Sequence, residues 1–200
     1  MKKFITIYVV VVLLGASCTA SVELDQSQIT YGGGWGIGTN NILAQTFTPG
    51  LSGKLDHIDV QLGSAYPTAI PVTVSIVETI SSVPSGNLLG SVTMPDIGFG
   101  GWKSFDFLSE NINLTAGTLY AIQVITDRPF SSPGISWYYS NNNSNPYSNG
   151  CLWLYQTYWR NMDLIHNASD ATFKTFMLVP EPATIAMLGI GALSLLRKKK

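Results

Sequence analysis

The residues best equipped for chemistry in this 200-residue chain are aromatic. Trp137-Tyr138-Tyr139 is followed, across a loop of asparagines, serines and a proline, by Trp153, Tyr155, Tyr158 and Trp159. An aromatic ring stacks on the apolar C–H face of a pyranose, and an amide such as Asn142 can donate to and accept from its hydroxyls. Trp137, Tyr139, Asn142, Trp153 and Trp159 are therefore the candidate ligand-binding residues, and a polysaccharide is the ligand they would take. Alternation along a strand puts Trp153 and Tyr155 on one face. The competing role for every one of these rings is to fill a core, where each buries a large area. At least one of Trp137, Tyr139 and Trp159 is expected at the surface.

Other chemistries find less support. His57 sits between Asp56 and Ile58 on a predicted strand, which sends its sequence neighbours to the opposite face, and His166 lies in a loop. No G-x-S-x-G occurs; Ser52 in Gly50-Leu51-Ser52-Gly53 is one residue short of it. No catalytic residue is assigned and no enzyme is expected, with a small glycoside or ester hydrolase as the third-ranked reading, because paired carboxylates are defined only by spatial separation. Gly32-Gly33-Gly34-Trp35-Gly36-Ile37-Gly38 lacks the preceding strand and following helix that a dinucleotide loop needs. Cys18 and Cys151 are the two cysteines; with Cys18 lost to processing, Cys151 has no intrachain partner and reads as a small buried hydrophobe. No CxxC or HxxxH spacing points to zinc.

The elements that must position the aromatics are strands. Ile42–Thr48, Leu55–Leu62, Ile70–Ile80, Leu88–Met94, Trp102–Phe107, Thr118–Thr126, Ile135–Ser140, Cys151–Thr157 and Ala171–Leu178 are β-rich runs, several alternating apolar with polar residues. Pro49-Gly50, Ser82–Gly86, Pro95–Gly101, Ala116-Gly117, Pro129–Gly134 and Ser140–Gly150 separate them as turn clusters. Evenly spaced strands with short turns predict an all-β fold, an antiparallel jelly-roll-like β-sandwich over residues 42–178. Residues 21–41 read as a glycine-rich lead-in.

The two ends carry targeting chemistry. Lys2 and Lys3, the apolar run Phe4–Leu14 and the small residues up to Ala20 form a signal peptide over residues 1–20, cut after Ala20. Acylation at Cys18 is the alternative, although Gly15-Ala16-Ser17 lacks the aliphatic residue expected before a lipid-bearing cysteine. At the other end, Val179-Pro180-Glu181-Pro182 is held extended by its prolines. Ala183 to Leu196, with Leu188 near its middle, is apolar; fourteen residues at about 1.5 Å each reach roughly 21 Å, short of the roughly 30 Å hydrocarbon core. Arg197, Lys198, Lys199 and Lys200 then hold the end on the cytoplasmic side. This is a short membrane anchor or stop-transfer helix, and it places the chain before residue 179 outside the cytoplasm. Between the ends, residues 21–178 carry five cations against eleven carboxylates, a net charge of −6 that excludes nucleic-acid binding by counterion release.

The tail resembles the PEP-CTERM sorting signal of envelope-bearing bacteria, on Val179-Pro180-Glu181-Pro182, the apolar run with Gly189 and Gly191, and Arg197–Lys200. The same tail also goes by the name ice-binding protein C-terminal domain. The resemblance implies an exosortase-like processing enzyme and the membrane as partners, with the cell envelope, surface or extracellular space as destination. A plain C-terminal membrane anchor is the alternative. Between the ends, Ala44-Gln45-Thr46-Phe47-Thr48, Gly117–Ile122 and Asp170–Phe176 resemble secreted bacterial choice-of-anchor β-sandwich domains, which implies a jelly-roll-like fold and a non-catalytic structural or adhesive role. Domains similar in outline bind carbohydrate and often hold a structural calcium. Asp170 is the candidate ligand for such a cation, with capping of backbone amides as its alternative role; no other cofactor is expected.

Overall fold

The computed structural model describes residues 20–64, 70–129, 134–141, 146–162, 164 and 170–180. The expected signal peptide of residues 1–20, apart from Ala20, and the expected anchor of residues 183–196 lie outside these residues. Thirteen strands are described: β1 (Ala20–Gln28), β2 (Gly33–Gly36), β3 (Ile42–Phe47), β4 (Gly53–Gly63), β5 (Val72–Ile80), β6 (Val83–Met94), β7 (Gly101–Asp106), β8 (Asn113–Leu114), β9 (Tyr120–Thr126), β10 (Ser136–Tyr139), β11 (Leu152–Tyr155), β12 (Trp159–Asn161) and β13 (Phe173–Pro180). They form two antiparallel sheets, so the chain is all-β as expected. The first sheet runs β1-β13-β4-β10-β2, with β7 and β8 also on β4; the second runs β12-β11-β3-β9-β5-β6. Four pairs nest inside one another along the chain, β5 with β6, β4 with β7, β3 with β9 and β1 with β13, and they alternate between the sheets.

Alternation builds the core. In β5, Val72, Val74 and Ile76 are buried while Thr73 and Ser75 are partly exposed. Ile58, Val60 and Leu62 of β4 and Phe105 of β7 meet Ile122 and Val124 of β9 and Leu43 and Phe47 of β3 in one apolar layer. Phe47 and Phe173, from opposite sheets, stand 6.1 Å apart between ring centroids. Each such fully buried side chain contributes about 1.5–3 kcal/mol through removal from water.

Two expectations need correction. Residues 21–41 are not a lead-in: they supply β1 and β2, and the compact unit spans Ser21–Val179. β1 is an edge strand that buries no apolar side chain, its Val22 and Leu24 being exposed, and polar contacts secure it. Asp25 Oδ1 accepts from the amides of Gly50 and Leu51, each at 2.8 Å, and the Gln26 amide donates to Thr175 Oγ1. The turn expected at Ser82–Gly86 lies instead at Ser81-Ser82, with φ of 51° and 66°. Positive φ at both central residues is the primed turn that matches hairpin twist. Pro84 and Gly86 fall within β6, which tolerates them because it is the outermost strand of its sheet.

Candidate functional site

The sandwich divides the aromatics between its two sheets. Trp137, on β10 of the first sheet, is fully buried, and its Nε1 donates to the Thr172 carbonyl at 2.8 Å. It is a core residue, so its candidacy as a ligand contact is withdrawn: a ring closed off on both faces offers nothing to stack on. Tyr139 is half-buried and meets Trp35 edge-on at 6.5 Å. Asn142 lies outside the described residues.

Trp153 and Trp159 come together on the outward face of the second sheet. Trp153 stands opposite Ala44 of β3 on one side and Asn161 of β12 on the other. Tyr155, two residues on and on the same face, stands between Ile42 and Trp159. Its ring lies 5.2 Å from that of Trp159, tilted by 57°. Trp153 and Trp159 pack over the small buried residues Ala44 and Ala121 and over Val77. Small side chains in mid-sheet and large ones at its side leave an open groove of about 370 Å³. Ser75 of β5 and Gln123 of β9, paired in register, contribute a hydroxyl and an amide to it. Tyr155 and Trp159 contribute one side; Ser85, Gly86 and Leu88 of β6 the other. Ile42 and Val77 complete the lining, which contains no charged side chain. The volume lies within the roughly 300–1,000 Å³ of small-molecule sites. None of Tyr139, Trp153 and Trp159 stands fully clear of the protein; each is half-buried, and the exposed ring of the β11–β12 hairpin is Tyr158, in its turn, with the Arg160 guanidinium 5.9 Å from its centre.

Sequence reasoning singled out Trp153 and Trp159, and set Tyr155 on the face of Trp153, because they are close in the chain and rich in aromatic character. It missed Ser75, Gln123, Ser85 and Leu88. Outward polar residues on alternating strands look alike, and only the strand order shows that β5, β6 and β9 lie beside β3 and β11.

Asp170 is buried at 1 % exposure and acts as a polar hub. Its carboxylate accepts from Gln45 Nε2 and from the Tyr147 amide, each at 3.1 Å. Its amide donates to Ser140 Oγ, and its carbonyl accepts from the Ser140 amide and Gln28 Nε2. Gln45 Oε1 accepts from the Ala171 amide at 2.7 Å. The capping role foreseen as its alternative is thus occupied, and among the described residues no group of three or more His, Cys, Asp or Glu side chains gathers as a metal site would require. Beside the hub, the Tyr147 hydroxyl donates to Gln26 Oε1 at 3.0 Å and accepts from the Thr48 amide at 3.2 Å. Burial pushes its pKa from 10.0 to about 12; the Thr48 amide opposes the shift and the carboxylates of Asp25 and Asp170 add to it.

His57 departs from simple alternation. Phe176 pairs with His57 and Met177 with Leu55, so Asp56 is the extra residue of a β-bulge. The bulge brings Asp56 Oδ2 to 2.5 Å from His57 Nδ1, where alternation predicted opposite faces. Phe176 lies parallel to the imidazole at 4.0 Å. Among the described residues no hydroxyl or thiol is hydrogen-bonded to this ring.

Two solved structures share the fold. The clostridial cysteine protease Cwp84 after propeptide cleavage matches with a TM-score of 0.56 at 14% identity, over 79% of this chain and 40% of that one. The cysteine protease and lectin-like domains of Cwp84, a surface layer associated protein of Clostridium difficile, match with a TM-score of 0.52 at 15% identity, over 79% of this chain and 36% of that one. The chain thus spans about two fifths of these structures, and the likeness is one of fold. No curated protein matches the sequence. Among the described residues no helix is long and apolar enough to cross a membrane. The decisive match is at the end of the chain: residues 178–200 fit the family model of the PEP-CTERM protein-sorting motif, a signal for export and for C-terminal anchoring or processing by an exosortase.

Proposed function

We propose that this protein is a non-catalytic component of the cell surface or extracellular matrix, carried there by its sorting tail, with a structural and adhesive role. The observation that carries the reading is the direct junction of tail and fold. The sorting motif starts at residue 178, inside β13, so the tail delivers the sandwich itself and no intervening module. The nested strand pairs are read as a jelly roll, and the ends as a cleaved signal peptide over 1–20 and a short membrane helix over 183–196. The Asp56–His57 contact is the nearest approach to an acid–base pair among the described residues, and Phe176 covers its ring. The test is fractionation of the full chain in a host with an exosortase, beside a host without one and beside a Pro180→Ala, Glu181→Ala variant. The intact system is expected to yield surface or released protein, and the other two to hold it at the inner membrane. Recovery of the ectodomain in the cytoplasm would refute the reading.

A second reading, a carbohydrate-binding module, is favoured by the uncharged groove with Tyr155 and Trp159 on one side and Ser75 and Gln123 within it. One structure of similar fold comprises cysteine protease and lectin-like domains, in keeping with this reading. Retention of the protein on immobilised polysaccharides, lost in Trp159→Ala, tests it; no retention on any of them removes it.

A further inference from the structure

We infer that the groove on the second sheet takes a neutral glycan as a single, non-planar soluble chain, in preference to a flat crystalline polysaccharide surface or a charged polymer. The inference rests on the carbohydrate-binding reading and adds the class and shape of the ligand.

The shape follows from the rings. A crystalline polysaccharide presents its sugar faces in one plane, and a protein that grips it needs aromatic rings in one plane. Tyr155 and Trp159 are tilted by 57° with centroids 5.2 Å apart. If one ring lies flat on a planar surface, the other meets it at a steep angle and loses the stacking contact. A chain that turns between successive sugars presents its C–H faces at an angle and can satisfy both rings. The groove also has a second side. The β5–β6 pairing shifts register at Ile76/Val77 and again at Val77/Thr79, irregularities that bend a hairpin. Its β6 arm places Leu88, 59 % exposed, across from the rings. Two sides and an open top suit one chain lying along the sheet and obstruct an extended surface.

The charge preference follows from the lining. A polyanion bound there would find no cation in the groove, on a domain whose net charge is −6. Its charges would lose hydration with no partner in return, which is costly. Hydroxyls face no such penalty: the Gln123 amide can donate and accept, and the Ser75 and Ser85 hydroxyls can do the same.

Gly86 provides a clean way to close the site. A Cβ added there meets nothing within 4 Å, and its φ is not positive, so a side chain can be placed in the groove without strain. The experiment uses the full chain in a detergent without a sugar headgroup. Calorimetry is run with soluble linear β-1,3-glucan and with amylose, both neutral and non-planar, and with alginate as the polyanion; co-sedimentation is run with microcrystalline cellulose. The wild type is expected to bind a soluble neutral chain. Trp159→Ala should weaken that binding about tenfold or more, and Gly86→Phe should abolish it with the melting temperature unchanged. Binding to cellulose or alginate as strong as to the soluble neutral chains overturns the inference while leaving a sugar-binding module standing. Neutral-chain binding undiminished in Gly86→Phe also overturns it, since the ligand then sits elsewhere. Binding to no polysaccharide removes the carbohydrate reading and the inference together.

Discussion

On the first sheet, the outward side chains of β4, β7 and β13 bring charge together. Asp59 pairs in register with Lys174 and Ser104, Lys174 Nζ lies 4.4 Å from the centre of the Trp102 ring, and His57 meets Asp56. On the second sheet, Ile42, Ala44, Ser75, Val77, Ala121, Gln123 and the aromatic rings of β11 and β12 surround a groove whose lining carries no charge. Both faces bear tryptophan, yet the rings have different work. Trp102, 37 % exposed, carries the Lys174 cation over its ring, whereas Trp159, half-buried, lines the groove with no cation over its ring among the described residues. An aromatic residue at the surface therefore suggests a binding site only when its neighbours leave its face free.

The strongest way to break this contrast is through the interior that both faces share. Trp137→Ala removes a fully buried ring and its bond to Thr172, and a loss of about 3–5 kcal/mol is expected in chemical denaturation. Trp159→Ala should cost far less stability while weakening the proposed glycan binding about tenfold or more; if the two variants destabilise equally, Trp159 is a core residue and the groove carries no function. The second effect is in pH. Tyr147 keeps its proton in the folded state up to about pH 12, against an ordinary 10 when unfolded. The folded state then binds the proton more tightly, so the associated stability is fully present below pH 10 and is lost as pH rises to 12, a change of about 2–3 kcal/mol. Tyr147→Phe should flatten that slope in denaturation curves recorded between pH 9 and 12, with glycan binding at neutral pH untouched.

Smaller still is the effect on the charged face. Trp102→Ala removes the Lys174 contact, and a loss of roughly 0.5–1 kcal/mol is expected in a double-mutant cycle with Lys174→Met. It should leave sugar titrations unchanged; weakened binding would show that the first sheet holds a site too. Smallest is Ser82→Gly in the β5–β6 turn. Glycine takes the φ of 66° without the steric penalty of a Cβ, and a gain of about 0.5 kcal/mol in thermal denaturation is expected, with the groove's second side kept in place.

What could be read from the sequence depended on how many faces of an element are buried. β3, β4, β5, β9 and β13 announce themselves because one face is apolar and lies against the core. β1 does not, because it is an edge strand whose Val22 and Leu24 are exposed and whose Asp25 and Gln26 are held by the backbone amides of Gly50 and Leu51 and by the Thr175 hydroxyl. β2 is hidden for another reason. Gly33 and Gly34 lie against the side chains of Tyr139, Ser136 and Tyr138, so the close approach of their neighbours calls for glycine where a strand usually shows branched residues. The aromatic half of the groove was legible because Tyr155 and Trp159 come from one hairpin. The polar half was not, since Ser75 and Gln123 become neighbours only when β5 and β9 pair. The reading of Trp137 with Trp159 as one cluster failed for the same reason: β10 and β11 belong to different sheets.

The place where the tail leaves the fold has a mechanical consequence. β13 lies between β1 and β4, and its last residues already belong to the sorting motif. When the protein is held by its tail and pulled by whatever it grips, tension enters along β13. A pull along the strand axis loads the bonds on both sides of β13 together in shear, twice the row that an edge strand would offer. Resistance to such loading is set by the rate of unfolding and not by equilibrium stability. A sorting tail joined to an inner strand thus ties the tether to two neighbours at once.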